Sequence, residues 1–389
     1  MRDKLTGAKV VFFTAVAGAE FWRKLAEELR QLGHDVEIFS ALEDDDYRRP
    51  RSWPSRLWLR WRVGIGFAAR AVRHARRWSS SENGSRVLVL STNPFFLPWL
   101  VERCTRGRER RTVLLLFDVY PDAWIAAGGA ESGWVAKRMA AITGAALRNC
   151  TATVFLGERI RRSVEERYGK ARISDVIPVG AGGRWDHGVE PWTAKSPACV
   201  TVLYAGLMGR MHEVETLVTA LAGPLPLGVQ LRFHASGAGY GELRRRIASQ
   251  PRVSWGGPLD RADWAKMLVA SEVGLVTLRP GAERAAMPSK TYSALLAGQA
   301  ILAVCAADSD LANLVRRHAC GWVVTPGDAL ALRRALSEIA EDREGLQAKR
   351  QRSLAAGREC YDSVVVARQW DALLRQLTRL PEMSASPQS

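Results

Sequence analysis

Short apolar runs alternate along the chain with longer segments whose apolar positions recur at helical spacing. In the first half, the strand-like runs occupy residues 9–16, 36–39, 87–91, 112–117, 151–156 and 175–179. The same alternation begins again at residues 200–206 and continues at 230–237, 253–255, 273–278 and 301–304. Alternating strands and helices are typical of α/β domains with parallel sheets. The pattern therefore predicts an α/β protein with two Rossmann-like domains.

The alternation lapses between the two halves. Residues 180–197 are rich in Gly, Pro and polar residues, which is typical of an interdomain linker. A chain of 389 residues is also too long for one ordinary hydrophobic core. We predict an N-terminal domain of residues 1–185, a C-terminal domain of residues 198–358, and a last helix within residues 359–380 that returns to the first domain.

Composition narrows the classes of function. The formal net charge of +16 favours an anionic partner such as nucleic acid, an acidic membrane face or a diphosphate substrate. The six cysteines form no CxxC pair and have no His at zinc-finger spacing, so we expect reduced thiols and no metal site. The sequence contains no apolar run of transmembrane length, and the N-terminus lacks a signal-peptide pattern, so we expect a cytoplasmic protein.

Much of the positive charge lies in one segment. Residues 48–78 contain ten Arg and four Trp but no acidic residue. If the segment is helical, one face carries Trp58, Trp61, Ile65 and Val72, and its flanks carry Arg56, Arg60, Arg70, Arg73 and Arg77. Two interpretations stay open. The aromatic face packs on the sheet, or it rests on an anionic membrane with the arginines at the interface.

Candidate chemistry follows the strands of the second half, because ligands of open α/β sheets bind beyond the carboxyl ends of the strands. Gly206 and Gly209 follow the first of these strands, and we expect their backbone amides to approach phosphate oxygens. Arg210 and His212 are hydrogen-bond donors in the same turn. This turn predicts a phosphate site.

Two further turns have a similar character. Gly237 and Gly239 allow a close backbone approach after the next strand. Ser289 is placed to cap a helix that begins at Lys290, so the free N–H groups of that helix and the ammonium group would favour an anion. Each signal is weak alone, but their joint placement predicts a diphosphate site.

These turns lie in a longer recognisable pattern. The runs LYAGLMGRMHEVETLVTAL, WGGPL, VGLVTLRPGAERAAMPSKTYSALLAGQAILAV and CGWVVTPGD stand in this order between Val200 and Asp328. They resemble the C-terminal donor-binding domain of the family 4 retaining glycosyltransferases, above all its bacterial cell-surface polysaccharide branch. In the first half, GAEFWRKLAEELRQLGHDVEIFSA resembles the first β/α unit of the family, and LLFDVYPDAWIAAG resembles its aspartate-containing loop.

The resemblance implies the glycosyltransferase B-type fold, with two Rossmann-like domains facing each other across a cleft. The catalytic candidates are Asp118, Arg210 and Lys290. The donor-binding candidates are Gly206, Gly209, His212, Gly237, Gly239, Trp255, Glu283, Ser289 and Tyr292, and the candidates on the acceptor side are Gly18, Glu20, Thr92 and Asn93.

The resemblance also implies the substrates. The donor would be a nucleoside-diphosphate sugar, and we expect a UDP-sugar, with no metal ion and no permanently bound cofactor. The acceptor would be a glycan, a lipid-linked diphosphate or a small molecule. An anionic membrane surface is an expected partner, and nucleic acid is not. The leaving diphosphate would take the acceptor proton, so no protein base is required.

The chain departs from the wider family at several positions. The family has an Arg in place of Leu207 and a Lys near His212, so Arg210 must supply the charge here. The family also has a Glu that binds the donor ribose at the position of Ser293, and an earlier Glu near Ala285. The polysaccharide branch lacks this pair too, which leaves the ribose contact unassigned.

Purely structural roles stay open for three of the candidates. Asp118 precedes Tyr120 and Pro121 and could cap a turn. His212 could cap the helix that follows it. Glu283 could form a solvated ion pair with Arg284.

Other functions fit less well. A nucleic-acid-binding protein would explain the charge, but no recognition motif is present. A dinucleotide dehydrogenase is disfavoured because Ala17-Gly18-Ala19 does not make GxGxxG, and Ser40 and Ala41 follow the second strand where an acid is required. A sugar-nucleotide epimerase of the same fold and a glycosyltransferase that acts on a small metabolite stay open.

Overall fold

The structure is a computed structural model that describes residues 7–17, 21–43, 58–59, 61–78, 86–105, 110–181 and 199–380. Its contacts divide the chain into two compact units. The first consists of Met1–Pro121, Ala130–Gly182 and Ser363–Ser389, and the second of Asp122–Gly129 and Gly183–Asp362. The sequence prediction gave the segment Asp122–Gly129 to the first domain instead.

The first unit contains a six-stranded parallel sheet. Its strands are β1 (Lys9–Ala17), β2 (Asp35–Glu43), β3 (Arg86–Ser91), β4 (Arg111–Leu115), β5 (Ala152–Phe155) and β6 (Ser174–Val176). Their order is β2–β1–β3–β4–β5–β6. Because helices cover both faces, the central strands consist almost entirely of buried apolar residues. The strand order reverses between β1 and β3, which is where ligands of such sheets bind.

Helices connect these strands. In chain order they are α1 (Phe21–Gln31), a π-helical turn (Arg62–Gly66) that continues into α2 (Phe67–Trp78), α3 (Leu97–Cys104), α4 (Asp122–Ala126), α5 (Trp134–Asn149) and α6 (Glu158–Tyr168). The short α4 is grouped with the second unit, where it contacts residues 282–284.

The basic aromatic segment does not form the single face that its sequence predicts. Val72 is buried on the sheet side of α2, but Trp58, Trp61 and Ile65 are 53%, 57% and 66% exposed. The π-helical turn begins after Trp61, contains Ile65 and ends before Val72, and it shifts the helical register. Phe67, Leu59 and Val63 therefore pack in the core on this side of the sheet, while Trp58, Trp61 and Ile65 face outward.

The second unit repeats the architecture. Its strands are β7 (Val200–Leu207), β8 (Val229–Ser236), β9 (Val253–Gly256), β10 (Val273–Thr277), β11 (Ala300–Val304) and β12 (Gly321–Val324). All pairs are parallel, in the order β12–β11–β10–β7–β8–β9. Two Rossmann-like units therefore confirm the predicted fold class.

The helices of this unit are α7 (Glu215–Leu221), α8 (Ala238–Ile247), α9 (Arg261–Val269), α10 (Lys290–Leu296), α11 (Asp310–Arg317), α12 (Ala329–Glu341) and α13 (Arg343–Ala356). The sequence patterns missed β12 and the helices α11 to α13. They also placed the start of α8 at Glu242, because Gly239 and Gly241 in its first turn have low helix propensity.

A last helix, α14 (Ser363–Arg379), is grouped with the first unit. Its Trp370 is fully buried, with its ring 5.9 Å from that of Phe12 in β1. His34 Nδ1 accepts the Ala8 N–H at 3.0 Å, so its Nε2–H can donate to Asp371 at 2.7 Å. Apolar burial and this polar contact together attach α14 to the first sheet. None of the helices in the described ranges has the length and apolar character needed to cross a bilayer.

We predict that Trp370→Ala lowers the free energy of unfolding of the first unit by about 3–5 kcal/mol, because it leaves a cavity between α14 and β1. Arg368→Ala in the same helix is the control, since this side chain is exposed and its loss should change stability by less than about 0.5 kcal/mol. Urea denaturation followed by tryptophan fluorescence measures both effects. Equal stability of the two variants would contradict the packing of α14 described above.

Candidate functional site

The loop after β7 and the turn after β8 lie against each other at the carboxyl edge of the second sheet. The Met208 N–H donates to Ser236 O at 2.8 Å, and the Tyr240 N–H donates to Met208 O at 3.2 Å. Two glycines make this approach possible. A Cβ at Gly237 would lie 2.6 Å from Met208 O, and one at Gly239 would lie 3.0 Å from Gly209 O. The φ of Gly237 is +110°, which also favours glycine.

The glycines of the β7 loop have different roles. Gly206 has a φ of +110° at the end of the strand, and its position has open space around it. The Gly209 N–H, however, donates to His212 Nδ1 at 3.1 Å. The prediction that the Gly209 amide is open to a phosphate is therefore wrong, because its hydrogen goes to the histidine.

His212 is held as a neutral donor by the same contact. Since Nδ1 accepts the Gly209 N–H, the neutral ring carries its proton on Nε2. Burial, and then the charge of Lys290, lower the pKa of His212 to about 3. At neutral pH this side chain can therefore donate one hydrogen bond without carrying charge.

Lys290 reaches back to the β7 loop from the first position of α10. Its Nζ donates to Leu207 O at 3.0 Å and to the hydroxyl group of Tyr204. Nζ also lies 3.8 Å from the centroid of the Tyr204 ring. A cation from α10 therefore lies on the same loop as His212.

Burial lowers the pKa of Lys290 to about 7. A nearby anion would favour the ammonium form and raise the pKa again. The protonation state of Lys290 is therefore sensitive to an anionic ligand near neutral pH.

The start of α10 differs from the prediction. Ser289 occupies the N-cap position, but its side chain makes no capping hydrogen bond. The N–H groups of Thr291 and Tyr292 donate to Pro288 O and Ser289 O, each at 3.1 Å. These two amides are already satisfied and are not open to an anion, and the full positive charge at this point is that of the Lys290 ammonium group.

Two other donor-binding candidates have contrasting positions. Tyr292 is 2% exposed, and its ring packs against Tyr361 at 5.1 Å, so its side chain belongs to the core on that side of α10. Arg210 is exposed, and its carbonyl oxygen accepts a hydrogen bond from Arg279 Nη1 at 3.2 Å. The backbone of this turn is thus tied to the loop after β10, while the Arg210 side chain is accessible.

Trp255 and Glu283 each present a buried polar atom that has no partner among the described residues. The Trp255 ring stacks on Phe233 at 5.0 Å, and its Nε1 has no acceptor in the described ranges. Glu283 is 7% exposed, with Oε1 at 3.8 Å from Arg284 Nε and Oε2 without a donor in the described part of the chain. The ion pair with Arg284 that the sequence left open is present, but it joins an exposed guanidinium group to a buried carboxylate.

The acceptor-side candidates belong to the first unit. Thr92 is buried, and its Oγ1 accepts the N–H groups of Phe117 and Asp118 at 3.2 Å each, so it shapes the loop after β4. Asn93 and Asp118 are exposed. Although Asp118 is in contact with solvent, the surrounding protein raises the pKa of its carboxyl group by desolvation. Gly18 and Glu20 lie outside the described residues.

Tyr204 is a site residue that the sequence analysis missed. Its hydroxyl group donates to Leu207 O at 2.8 Å, and its ring lies 6.1 Å from the ring of His212. It is placed inside an apolar strand, where a tyrosine is indistinguishable by pattern from a core residue.

The six cysteines are unpaired, and the described ranges contain no group of three or more His, Cys, Asp or Glu that could hold a metal ion.

Known proteins show the same fold and related domains. Residues 17–180 match the family model described as a glycosyl transferase 4-like domain. A probable glycosyltransferase WbjE of Pseudomonas aeruginosa is 23% identical over 347 residues, which cover 82% of this chain and 85% of that protein.

Two solved structures are similar over nearly their whole length. Sucrose-phosphate synthase from Thermosynechococcus elongatus has a TM-score of 0.71 at 17% identity and covers 95% of this chain and 99% of its own. Anabaena Alr3699/HepE in complex with UDP and glucose has a TM-score of 0.66 at 16% identity, with the same coverage.

The fold and these matches define the chain as a glycosyltransferase of the B-type fold. The match to the glycosyl transferase 4-like domain and the likeness to WbjE confirm the family 4 resemblance predicted from the sequence. The family model covers the first unit, where the sequence motifs were looser than in the second.

A matched pair of glycine variants tests the contact between the two loops. Gly237→Ala should lower the free energy of unfolding by about 1–3 kcal/mol, because alanine is strained at this φ and its Cβ meets Met208 O. Gly241→Ala in the first turn of α8, the helix that Gly237 precedes, has open space around it and should raise stability by about 0.5–1 kcal/mol. Denaturant titration of both variants measures the difference. A Gly237→Ala protein as stable as the wild type would show that the loops do not need this approach.

Proposed function

We propose that the chain transfers a sugar, with retention, from a UDP-sugar to a glycan or lipid-linked diphosphate acceptor at an anionic membrane face, in the synthesis of a cell-surface polysaccharide. The observation that carries the donor assignment is the contact of Lys290 Nζ with Leu207 O, next to His212. It brings a cation and a neutral hydrogen-bond donor to one loop at the carboxyl edge of the sheet.

The diphosphate is bound by Lys290, His212 and Arg210. Lys290 supplies an ammonium N–H, His212 supplies Nε2–H, and the exposed guanidinium group of Arg210 can turn toward a phosphate oxygen. The loop lacks the Arg and Lys of the wider family at Leu207 and His212, and Lys290 brings a charge to this place from α10. The Anabaena structure in complex with UDP and glucose supports UDP as the nucleotide.

Two buried polar atoms without a partner in the described ranges indicate which side chains bind the nucleoside and the sugar of the donor. Trp255 Nε1 has no acceptor in the described ranges, and we assign this side chain to the nucleoside. Glu283 Oε2 needs a donor because a buried carboxylate oxygen without one is costly, and a sugar hydroxyl group supplies it. Gly237 and Gly239 keep the turn after β8 against the loop after β7, where the diphosphate is bound.

Transfer then proceeds without a protein base. The bond between the anomeric carbon and the diphosphate oxygen breaks, the acceptor oxygen bonds to the same face of that carbon, and the acceptor proton passes to the leaving diphosphate. Lys290, His212 and Arg210 stabilise the negative charge that develops on the diphosphate. We assign Asp118 and Asn93 to the acceptor, because both side chains are exposed on the first unit beside the loop that Thr92 holds.

The exposed tryptophans support the membrane contact. Trp58, Trp61 and Ile65 present apolar surface next to the exposed arginines Arg70 and Arg73 of α2, and interfacial aromatics beside basic side chains are typical of peripheral membrane contact. Trp134, at the start of α5, is 76% exposed. It is a further exposed aromatic side chain of the first unit.

The donor assignment predicts the effect of removing each charge. Lys290→Ala and Arg210→Ala should each weaken UDP binding by about tenfold or more, since a charge-assisted hydrogen bond contributes about 1.5–3 kcal/mol. Isothermal titration calorimetry measures the affinity, with Arg244→Ala and Lys266→Ala as controls that remove an equal charge from exposed positions outside the proposed site. Unchanged affinity in both variants, with the fold intact, would remove Lys290 and Arg210 from the site.

The affinity for UDP measured by this titration should also depend on pH, and the direction of the change can be predicted. The pKa of free Lys290 lies near 7 and rises when the diphosphate binds, so UDP affinity should fall as the pH rises from 7 to 8.5. In Lys290→Ala this decrease should be lost, and the variant also reports any contribution from ionisation of UDP itself. A wild-type affinity that rises with pH would contradict the assignment.

The membrane assignment predicts salt-sensitive binding to vesicles that contain phosphatidylglycerol. Arg70→Gln with Arg73→Gln should weaken this binding about 30-fold at low salt, because each basic residue contributes about 1 kcal/mol. Arg244→Gln with Arg245→Gln removes the same charge from exposed positions of the second unit and should have little effect. Trp58→Ser with Trp61→Ser should weaken binding at both low and high salt.

Vesicle sedimentation and tryptophan fluorescence measure these effects. A blue shift of emission on addition of vesicles should disappear in the tryptophan variants. If vesicles change neither sedimentation nor fluorescence at low salt, the acceptor is a small molecule in solution. If the purified protein interconverts UDP-sugars without an acceptor, the activity is that of an epimerase.

A further inference from the structure

Tyr204 is the one fully buried side chain that contacts both proposed diphosphate donors among the described residues. Its ring is 0% exposed, lies 3.8 Å from Lys290 Nζ and meets the His212 ring edge to face at 6.1 Å. Its hydroxyl group is bonded to the β7 loop at Leu207 O. A single side chain beneath the loop therefore contacts the cation, the neutral donor and the loop backbone.

The hydrogen bonds of Tyr204 have defined directions. A phenol has one proton, and this proton goes to Leu207 O at 2.8 Å. Toward Lys290 the hydroxyl oxygen can therefore only accept, and Lys290 must donate. Nζ donates a second hydrogen to Leu207 O, which leaves one of the three ammonium hydrogens for a ligand.

The hydroxyl group has no role in core packing. The ring of Tyr204 stacks on Phe233 at 6.2 Å, and a phenylalanine would keep that contact. Burying a hydroxyl group carries a free-energy cost unless it is hydrogen-bonded, and both of its hydrogen bonds here go to groups of the donor loop or to Lys290. The polar end of this residue therefore serves the site rather than the core.

We propose that Tyr204 is a positioning residue that holds the Lys290 ammonium group on the β7 loop, in the place where it meets the donor diphosphate. This inference rests on the proposed donor site. A free lysine side chain has many rotamers, and a binding site that must immobilise it loses affinity. Tyr204 and Leu207 O impose this order before the ligand arrives.

Tyr204→Phe tests the role of the hydroxyl group. It keeps the ring and removes one hydrogen bond to Lys290, so UDP binding should weaken about three- to tenfold in calorimetry. Tyr361→Phe is the control, because it also removes a hydrogen-bonded tyrosine hydroxyl, here one of a half-buried side chain at 3.2 Å from His318 Nε2, and should change UDP affinity by less than about twofold. Melting temperatures of both variants establish that they are folded.

A double-mutant cycle separates positioning from a general structural effect. In the Lys290→Ala background, Tyr204→Phe should weaken UDP binding no further, because no ammonium group is left to position. Additive losses would overturn the proposal and would make the hydroxyl group a structural element of the loop. An unchanged affinity of the single variant would overturn it as well.

Amine labelling reports the contact without nucleotide. The rate at which a limiting acylating reagent modifies Lys290, followed by peptide mass spectrometry, should rise in Tyr204→Phe and stay constant at the exposed Lys266. An equal rate at Lys290 would show that the hydroxyl group does not hold it.

If the wild-type protein binds no nucleoside diphosphate, the proposed function fails and the positioning role fails with it. If UDP binds normally and only the cycle or the labelling fails, the proposed function stands.

Discussion

The geometry of the β7 loop depends on one close approach. Residues 207–209 of this loop lie against the backbone of the turn at Gly237 and Gly239. Any side chain at Gly237 would push against Met208 O. Leu207 is the residue before Met208, and its carbonyl oxygen holds both Tyr204 and Lys290. A shift of this segment would therefore move the acceptor of the lysine and, through Gly209, the partner of His212.

The electrostatics of the loop follow from what Lys290 contacts. Its partners are a carbonyl oxygen, a hydroxyl group and an aromatic ring, and none of them carries a full negative charge. Burial then lowers the pKa of Lys290, since the cation lacks both full hydration and a carboxylate. A diphosphate bound as proposed would supply the missing charge, so it would gain more from this lysine than from one already paired with an acid.

The periodicity of the sequence predicted the fold class and most strands, because buried parallel strands appear as continuous apolar runs. The glycine turns were recognisable for a different reason. Two backbone segments approach closely only where the residues lack a Cβ. The hydrogen-bond partner of each polar group was not predictable from the sequence. Nothing in the sequence shows that the Gly209 amide goes to His212, or that the first amides of α10 bond within their own turn. Tyr204 was missed because a buried tyrosine and a core aromatic have the same pattern.

The exposure of the tryptophans has a cause in helical register. With 100° per residue, a continuous α-helix would bring Trp58, Trp61 and Ile65 to the same side as Val72, which is buried. The π-helical turn at Arg62–Gly66 inserts about one residue into this register, so Trp58 and Trp61 before it, and Ile65 within it, rotate away from the side chains after it. Leu59 and Val63 take the buried positions instead. The apolar surface outside the sheet is therefore produced by the backbone of this turn. It does not result from a lack of space in the core.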